Sequence, residues 1–112
     1  ALLDISKYLE IETEFLFSSE LNKDNSLKGS AKILDICKVL DATKYINPIG
    51  GLDLYSKENF LKEKIELKFL KSNIIEYKQF EDEFIPWLSI IDVLMFNSKN
   101  EVKNLLNEYT LV

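Results

Sequence analysis

The sequence predicts a small α/β domain with an open, mostly parallel sheet of about three strands and helices packed on it. Stretches with the two-residue hydrophobic period of strands alternate with stretches of helical period. Their spacing is that of βαβ units, in which right-handed crossovers make neighbouring strands parallel. The chain has 112 residues, of which 46% are hydrophobic, so it can build one core. We therefore expect a single α/β segment over residues 1–112.

The first half of the chain predicts two helices and two strands in alternation. Residues 2–9 have helical spacing, and residues 11–17 alternate in the way of a strand. Asn, Ser and Gly make 21–30 a loop, which leads into a helix that ends near Asp41. A short apolar stretch over 43–49 predicts a buried strand that ends in a turn with Pro and Gly.

The second half predicts, in order, a helix, a strand, an ordered loop and two helices, over residues 57–64, 65–69, 71–86, 87–96 and 99–109. Ser56 is the expected N-cap of the first of these helices, and Ser98 with Glu101 forms the capping box of the last. A sheet of three strands leaves an unpaired edge, which we expect the rest of the protein or an oligomer partner to cover. Because the chain begins at Ala1 rather than Met, we expect it to be a piece of a longer protein.

Two residue types that enzymes often use are absent. There is no His, and all 14 basic residues are Lys, so Arg is absent too. Without His, the chain offers no imidazole base, no Ser–His or Cys–His pair and no His-containing metal site. The single Cys37 excludes an internal disulfide and a Cys-rich zinc site. Its place on the apolar face of a predicted helix indicates a buried, inert thiol.

The charge balance and the hydrophobic pattern exclude two kinds of partner. With 19 acidic and 14 basic residues, the net charge is −5, which argues against a nucleic-acid partner. No apolar run approaches the roughly 20 residues that span a bilayer, so we expect no membrane insertion. The expected location is cytoplasmic, in a reducing compartment.

The most distinctive motif is the turn after the second predicted strand, which holds Asn47, Pro48, Gly50 and Gly51. Ligands of open α/β sheets bind beyond the carboxyl ends of the strands, and glycines let backbone amides approach a ligand closely. The turn therefore predicts a site for an anion or a sugar hydroxyl. In the alternative interpretation, Pro48 and the glycines only shape a tight turn, and Asn47 caps backbone groups.

A second candidate combines Ser18 and Ser19, at the end of the first predicted strand, with Lys28 and Ser30 at the start of the next helix. A helix N-terminus offers free amides and the positive end of a dipole, and Lys28 adds a positive charge. The combination predicts binding of a phosphate or carboxylate, although the glycine spacing is not that of a Walker loop. Alternatively, Ser30 or Ser26 is a plain N-cap.

The third candidate is Ser89 with Asp92, inside an apolar run. Asp92 is expected to be an acid/base or hydroxyl-binding group, with Ser89 facing the same cleft. Alternatively, Ser89 caps a helix that has Asp92 in its first turn, and the surrounding run, with Trp87 and Met95, is buried core. The acidic triplet at 81–83 predicts either a divalent-cation site or a solvated loop.

Several segments follow one another in a recognisable order: Lys28-Gly29-Ser30, Ile33-Leu34-Asp35-Ile36-Cys37-Lys38, Tyr45-Ile46-Asn47-Pro48-Ile49-Gly50-Gly51, Leu54-Tyr55, Ile65-Glu66-Leu67-Lys68-Phe69-Leu70, Tyr77-Lys78-Gln79-Phe80 and Leu88-Ser89-Ile90-Ile91-Asp92-Val93-Leu94-Met95-Phe96-Asn97. Together they resemble the C-terminal half of the WbqC-like protein family. The resemblance covers nearly the whole chain. The family's N-terminal strand, with its Gln-Pro-Tyr-Phe-Pro-Tyr-like motif, has no counterpart here, so we expect a missing N-terminal half.

The resemblance implies a bacterial protein whose relatives are encoded among genes for surface polysaccharide (O-antigen or capsule) or amino-sugar assembly. It identifies no reaction, no cofactor and no established catalytic residues. We expect a transferase-like enzyme on an activated sugar, which binds a nucleotide-sugar or another anionic small molecule. Its cleft at the strand ends would be lined by Ser18, Ser19, Lys28, Ser30, Asn47, Gly50, Gly51, Ser89 and Asp92.

Two rival interpretations remain open. In the first, the chain is a non-enzymatic interaction or scaffold module that docks a partner through its sheet edge and through Tyr77, Phe80 and Phe84. In the second, it is a structural segment that forms a homo-oligomer or pairs with the missing N-terminal half.

Overall fold

The computed structural model describes residues 1–80 and 83–112. Over these residues the chain forms five α-helices, three strands and two short 3-10 turns. The helices are α1 (Leu2–Tyr8), α2 (Gly29–Val39), α3 (Lys57–Lys62), α4 (Ile90–Phe96) and α5 (Lys99–Leu105). The strands are β1 (Lys44–Pro48), β2 (Glu66–Ser72) and β3 (Tyr109–Leu111), and the 3-10 turns are Ser18–Glu20 and Ile49–Gly51.

The strands form an open sheet in the order β1-β2-β3. β1 and β2 run parallel, with Lys44 opposite Glu66, and α3 lies in the connection between them. β3 is antiparallel to β2, because Phe69 and Val112 exchange both backbone hydrogen bonds, at 2.8 and 2.9 Å. The predicted α/β class and the small open sheet are therefore confirmed, while the sheet is mixed because of β3.

The identity of two strands differs from the prediction. Residues 11–17 form no strand, and all of them are exposed. An alternating pattern gives a strand only where a neighbour takes up its backbone hydrogen bonds, and no described strand pairs with this segment. The three residues of β3 are too few to show a hydrophobic period.

The last two helices are shorter than predicted. The helix expected over 87–96 begins at Ile90, after its cap. The helix expected over 99–109 ends at Leu105, since backbone bonds from Asn107 to Asn104 and from Glu108 to Leu105 turn the chain into β3. Within the described ranges, no helix is long and apolar enough to cross a bilayer.

The chain divides into two compact units. The first unit comprises Ala1–Phe15 and Ser72–Thr110. The second comprises Leu16–Lys71 and Leu111–Val112.

The core of the second unit is built from α2, α3 and the β2 region. The ring of Tyr45 stacks on that of Phe60, with 5.6 Å between their centroids. Burial raises the pKa of the Cys37 thiol, as predicted for an inert cysteine. The alternation along β2 puts its apolar side chains on one face, as the sequence pattern indicated. The fully buried members of this core are Cys37, Phe60, Ile65, Leu67 and Phe69.

In the first unit, Glu10 ties the end of α1 to α5. Its carboxylate accepts hydrogen bonds from Lys103 Nζ at 2.7 Å and from Lys99 Nζ at 2.8 Å. These two bonds and the lysine charges lower the pKa of Glu10 to about 2. Leu9, next to Glu10, and Val102 on α5 are buried in the same unit.

Three helices end on a residue with left-handed backbone. Glu10, Asp41 and Lys64 have φ of 58°, 51° and 61°, and each follows the C-cap residue of its helix. After α1, for example, the N–H of Glu10 bonds to the carbonyl of Lys7, and the next N–H bonds to the carbonyl of Ser6. This is the Schellman motif, which satisfies the last carbonyls of a helix and explains the positive φ at all three positions.

Candidate functional site

Asp92 is held by two side chains from the loop that precedes α4. The hydroxyl of Tyr77 donates a hydrogen bond to Asp92 Oδ2, and the amide Nε2 of Gln79 donates to the same oxygen at 3.0 Å. Among the described residues, no side chain or backbone group donates to Asp92 Oδ1. The carboxylate is thus fixed in orientation on one side and has an acceptor oxygen left for a ligand.

The loop conformation brings these donors to one side. Successive side chains of an extended chain point to opposite sides, so Tyr77 and Gln79 share a side and Lys78 does not. Gln79 also closes the loop, since its Oε1 accepts from the N–H of Ile85 at 2.9 Å and its Nε2 donates to the Ile85 carbonyl at 3.0 Å. The ring of Tyr77 packs edge-on against Phe84 at 5.1 Å. Of the aromatic residues expected to hold this loop, Tyr77 and Phe84 pack on each other, whereas Phe80 is 79% exposed.

The hydroxyl of Tyr77 stays protonated in this arrangement. Burial, together with the hydrogen bond to Asp92, raises the pKa of the Tyr77 hydroxyl. The phenol therefore acts as a donor to the carboxylate at neutral pH. An oriented carboxylate of this kind can accept a proton from a hydroxyl or amine, or it can bind a sugar hydroxyl.

Ser89 has the role of a helix cap. Its Oγ accepts a hydrogen bond from the N–H of Ile91 at 3.2 Å, at the start of α4. Asp92 lies in the first turn of that helix, so the capping alternative is correct for Ser89. Through the cap, Ser89 helps to position the segment that carries Asp92.

An apolar cavity of about 220 Å³ lies in the first unit, beside this carboxylate group. Tyr77 belongs to its wall and at the same time binds Asp92. Ile90 and Val93, which flank Asp92 on α4, also line it. The other lining residues are Ser72, Asn73, Ile74, Ile75, Phe84, Pro86, Trp87, Leu88, Val102, Leu105, Leu106 and Glu108.

Trp87 stands at the opening of this cavity. It lines the cavity although its side chain is 70% exposed. Its φ is 59°, and it is the one non-glycine residue with positive φ in the described ranges that does not follow a helix. The expectation that Trp87 and Met95 belong to a buried core is wrong, because Met95 is 78% exposed.

In the second unit, the turn that follows β1 is organised by Asn47. Its Nδ2 donates to the hydroxyl of Tyr45 at 2.7 Å, so Asn47 holds a tyrosine rather than capping the backbone. Gly51 packs so closely on the Asn47 side chain that a Cβ there would overlap it and would lie 3.3 Å from the ring of Tyr55. Gly50 meets open space. Asn47 and Gly51 therefore shape the turn by packing on each other. Gly50 is the position of the turn with free space around it.

The remaining candidates of the second unit lie before and at the start of α2. Ser18 and Ser19 form an exposed 3-10 turn with Glu20. Lys28 is the N-cap residue of α2, and no side chain caps this helix end. The alternative of a serine cap is wrong, because Ser30 lies inside the helix and Ser26 Oγ bonds to Asp24 instead.

The candidates are thus divided between the two units. Ser89 and Asp92 belong to the first, and the candidates from Ser18 to Gly51 belong to the second. Within the parts that the structure describes, no group of acidic or cysteine side chains is arranged to hold a metal ion. Glu81 and Asp82 of the acidic triplet lie outside the described residues.

Sequence reasoning missed Gln79 as a partner of Asp92, and it assigned Tyr77 only to an aromatic loop. The i, i+2 spacing of Tyr77 and Gln79 was an available signal, since it places two hydrogen-bonding groups on one side of an extended chain. No sequence pattern indicates the left-handed backbone of Trp87.

Comparison with known proteins gives one result for the chain. The model of the WbqC-like protein family matches residues 1–104. The chain therefore belongs to the WbqC-like protein family. No curated protein and no solved structure matches it.

Proposed function

We propose that this member of the WbqC-like family is a transferase-like enzyme that acts on an activated sugar, in the assembly of bacterial surface polysaccharide or of amino sugars. The observation that carries the proposal is the clamped carboxylate of Asp92, with Tyr77 and Gln79 as its donors. Group transfer to a hydroxyl or amine needs a base for the acceptor's proton. In a chain without His, an oriented carboxylate is the side chain best suited to this task.

In the proposed reaction, Asp92 Oδ1 takes the proton of the acceptor hydroxyl. The acceptor oxygen forms a bond to the anomeric carbon while the bond from that carbon to the phosphate oxygen breaks. The leaving phosphate takes that electron pair. Tyr77 and Gln79 keep the carboxylate oriented and stay protonated throughout, so Asp92 is the group that changes its protonation.

Within the second unit, the proposed anion-binding residues lie before and at the start of α2 and in the β1 turn. The N-terminus of α2 has no side-chain cap, and Lys28 stands at that position, so backbone amides and an ammonium group are available to an anion. Ser18, Ser19 and Ser30 are the proposed hydroxyl donors beside it. At the β1 turn, the proposed contact with the ligand is the backbone amide of Gly50. Asn47 and Gly51 pack on each other and are proposed only to shape the turn.

The test has two readouts. A panel of nucleotide-sugars is expected to raise the melting temperature of the full-length protein, and Lys28→Ala is expected to remove the shift while Lys32→Ala keeps it. Asp92→Asn is expected to abolish transfer, measured by release of the nucleotide, while Asp53→Asn keeps it. If no nucleotide-sugar shifts the melting temperature, or if Asp92→Asn is as active as the parent, the proposal is wrong.

One observation favours the second candidate function, a non-enzymatic interaction module. Phe80 packs on Phe96 at 4.8 Å and yet leaves 79% of its surface exposed. Such a ring suits a partner surface. Tyr77 and Phe84, in contrast, are half-buried and pack on each other. In a cell-based test of glycan assembly, this function predicts loss with Phe80→Ser and no loss with Asp92→Asn, the reverse of the enzyme proposal.

A further inference from the structure

The size of the cavity in the first unit suits a ligand of one ring. Its volume is about 220 Å³. An apolar cavity of about 150 Å³ is large enough for benzene, and sites for drug-sized ligands begin at about 300 Å³. One six-membered ring with a small substituent therefore fits this cavity, which is smaller than the usual site of a drug-sized ligand.

The wall of the cavity selects against anions. Most of its lining residues are aliphatic or aromatic, and no lysine is among them. Glu108 is the charged residue of the lining, and it accepts a hydrogen bond from Asn73 Nδ2 at 3.4 Å. A phosphate or carboxylate would be placed near a like charge, without a cation to balance it. The site therefore suits an uncharged ligand.

The polar lining groups indicate that the ligand also has hydroxyl groups. Ser72, Asn73, Tyr77 and Glu108, together with the indole N–H of Trp87, are the hydrogen-bonding side-chain groups of a wall that is otherwise apolar. Apolar walls with a few placed polar groups are typical of small-molecule sites. A ring with one apolar face and a hydroxylated edge satisfies both kinds of surface.

Trp87 supplies the face for such a ring. Its indole is large, flat and 70% exposed at the cavity opening, where it can cover the apolar face of a bound ring. The left-handed backbone of Trp87 is unfavourable for a residue with a Cβ, and no helix end explains it. Strain of this kind points to a role in binding, since packing inside the protein does not account for an exposed side chain.

We propose that this cavity binds a single uncharged pyranose ring with an apolar substituent, such as an acetamido or deoxy sugar, stacked on Trp87. The ring lies between Trp87 and the wall around Tyr77, and its hydroxyl edge faces Tyr77 and Asn73. The further assignment, that one of these hydroxyls gives its proton to Asp92, rests on the transferase function proposed above.

The experiment uses the fluorescence of Trp87, which is the only tryptophan of the chain. Methyl N-acetylglucosaminide is titrated into the protein, with inorganic phosphate and uridine diphosphate as charged probes. We expect a saturable blue shift of the emission and an about twofold smaller quenching by acrylamide with the glycoside alone, because the sugar covers the indole face. Ile90→Phe, which narrows the cavity, should abolish the change, and Met95→Ala, on the same helix but outside the cavity, should keep it.

Three results would overturn this inference: no saturable change with the glycoside, an equal change with either charged probe, or an unchanged response in Ile90→Phe. If circular dichroism shows that Ile90→Phe is unfolded, Leu88→Phe replaces it, since Leu88 lines the cavity and is 52% exposed.

Asp92→Asn separates this inference from the proposed function. It should not catalyse transfer, whereas Met95→Ala should bind the glycoside and catalyse transfer as the parent does. If transfer depends on Asp92 but the fluorescence of Trp87 does not respond to the glycoside, the ring site is refuted and the proposed function is not. If the fluorescence of Trp87 responds to the glycoside but the parent protein catalyses no transfer, the proposed function is refuted and the ring site is not.

Discussion

The hydroxyl of Tyr77 donates a hydrogen bond to the carboxylate of Asp92, across fifteen positions of sequence. The bond joins an irregular loop to the first turn of α4, and Gln79 adds a second donor to the same oxygen. The pair therefore fixes both the loop and the candidate acid/base group. Each of its partners can be removed separately.

Tyr77→Phe removes the donor and keeps the ring that packs on Phe84. We expect the free energy of unfolding to fall by about 1–2 kcal/mol, since a hydrogen bond to a charged group is lost while Gln79 still serves Asp92. Urea unfolding measures this difference. Tyr109→Phe is the control, because the Tyr109 hydroxyl makes no hydrogen bond within the described chain. Equal stabilities for the Tyr77 variant and the parent would contradict the bond.

Glu10→Gln tests the ion pairs between the end of α1 and α5. The folded-state pKa of Glu10, about 2, is below its ordinary value of 4.5, so its contribution to stability is present above pH 4.5 and is lost as the pH falls towards 2. The parent should therefore be more stable than Glu10→Gln at pH 7, and the difference should shrink at pH 3. Thermal unfolding at both pH values measures it.

Salt and a second glutamate provide the controls for Glu10. Because the pair is exposed, added salt should also reduce the difference at pH 7. Glu12→Gln should show neither effect, since Glu12 makes no ion pair with a described residue. A difference between Glu10→Gln and the parent that is the same at pH 7 and pH 3 would rule out the electrostatic origin.

Phe60→Ala tests the core of the second unit. Phe60 is completely buried and contacts the rings of Tyr45 and Tyr55. Removing its ring should cost about 3–5 kcal/mol, from lost burial and the cavity left behind. The neighbouring Leu61 is 70% exposed, so Leu61→Ala should cost less than about 1 kcal/mol. Similar losses for both variants, measured by urea unfolding, would place the core elsewhere.

Gly51→Ala and Gly50→Ala distinguish the two glycines of the β1 turn. A Cβ at position 51 would overlap the Asn47 side chain, which binds Tyr45, so Gly51→Ala should lose about 1–3 kcal/mol of stability. Gly50 has open space around it, so Gly50→Ala should change stability by less than about 0.5 kcal/mol. A thermal-unfolding experiment that ranks them in the opposite order would refute the close packing of Gly51 on Asn47.

Replacing Trp87 tests the backbone strain at the cavity opening. Gly adopts positive φ without a Cβ clash, so Trp87→Gly should be more stable than Trp87→Ala by about 1 kcal/mol. At Leu88, whose φ is not positive, the order should be reversed, since Gly there only adds conformational freedom to the unfolded chain. Chemical unfolding of the four variants measures both differences. If Ala is the better residue at position 87 too, the backbone there carries no strain.

Local patterns determined much of the fold. Turn residues, caps and periodicity predicted the β1–α3–β2 unit, the cap at Ser56 and the capping box of Ser98 and Glu101, all of which the structure has. These features depend on interactions within a few residues, which a sequence shows directly. Composition likewise excluded imidazole from any acid/base work done by these 112 residues.

Contacts between distant segments decided the rest. The strand predicted over 11–17 failed because alternation does not reveal whether a pairing partner exists, and β3 is formed only because β2 offers it an edge. The sequence by itself predicted the helix that carries Asp92 and the apolar helix face that buries Cys37. Only the tertiary structure decided that Asp92 is clamped by Tyr77 and Gln79 beside a cavity with Trp87 at its mouth. The physical reason is that the donor set of a carboxylate depends on how a loop closes, and this closure leaves no periodic trace in the chain.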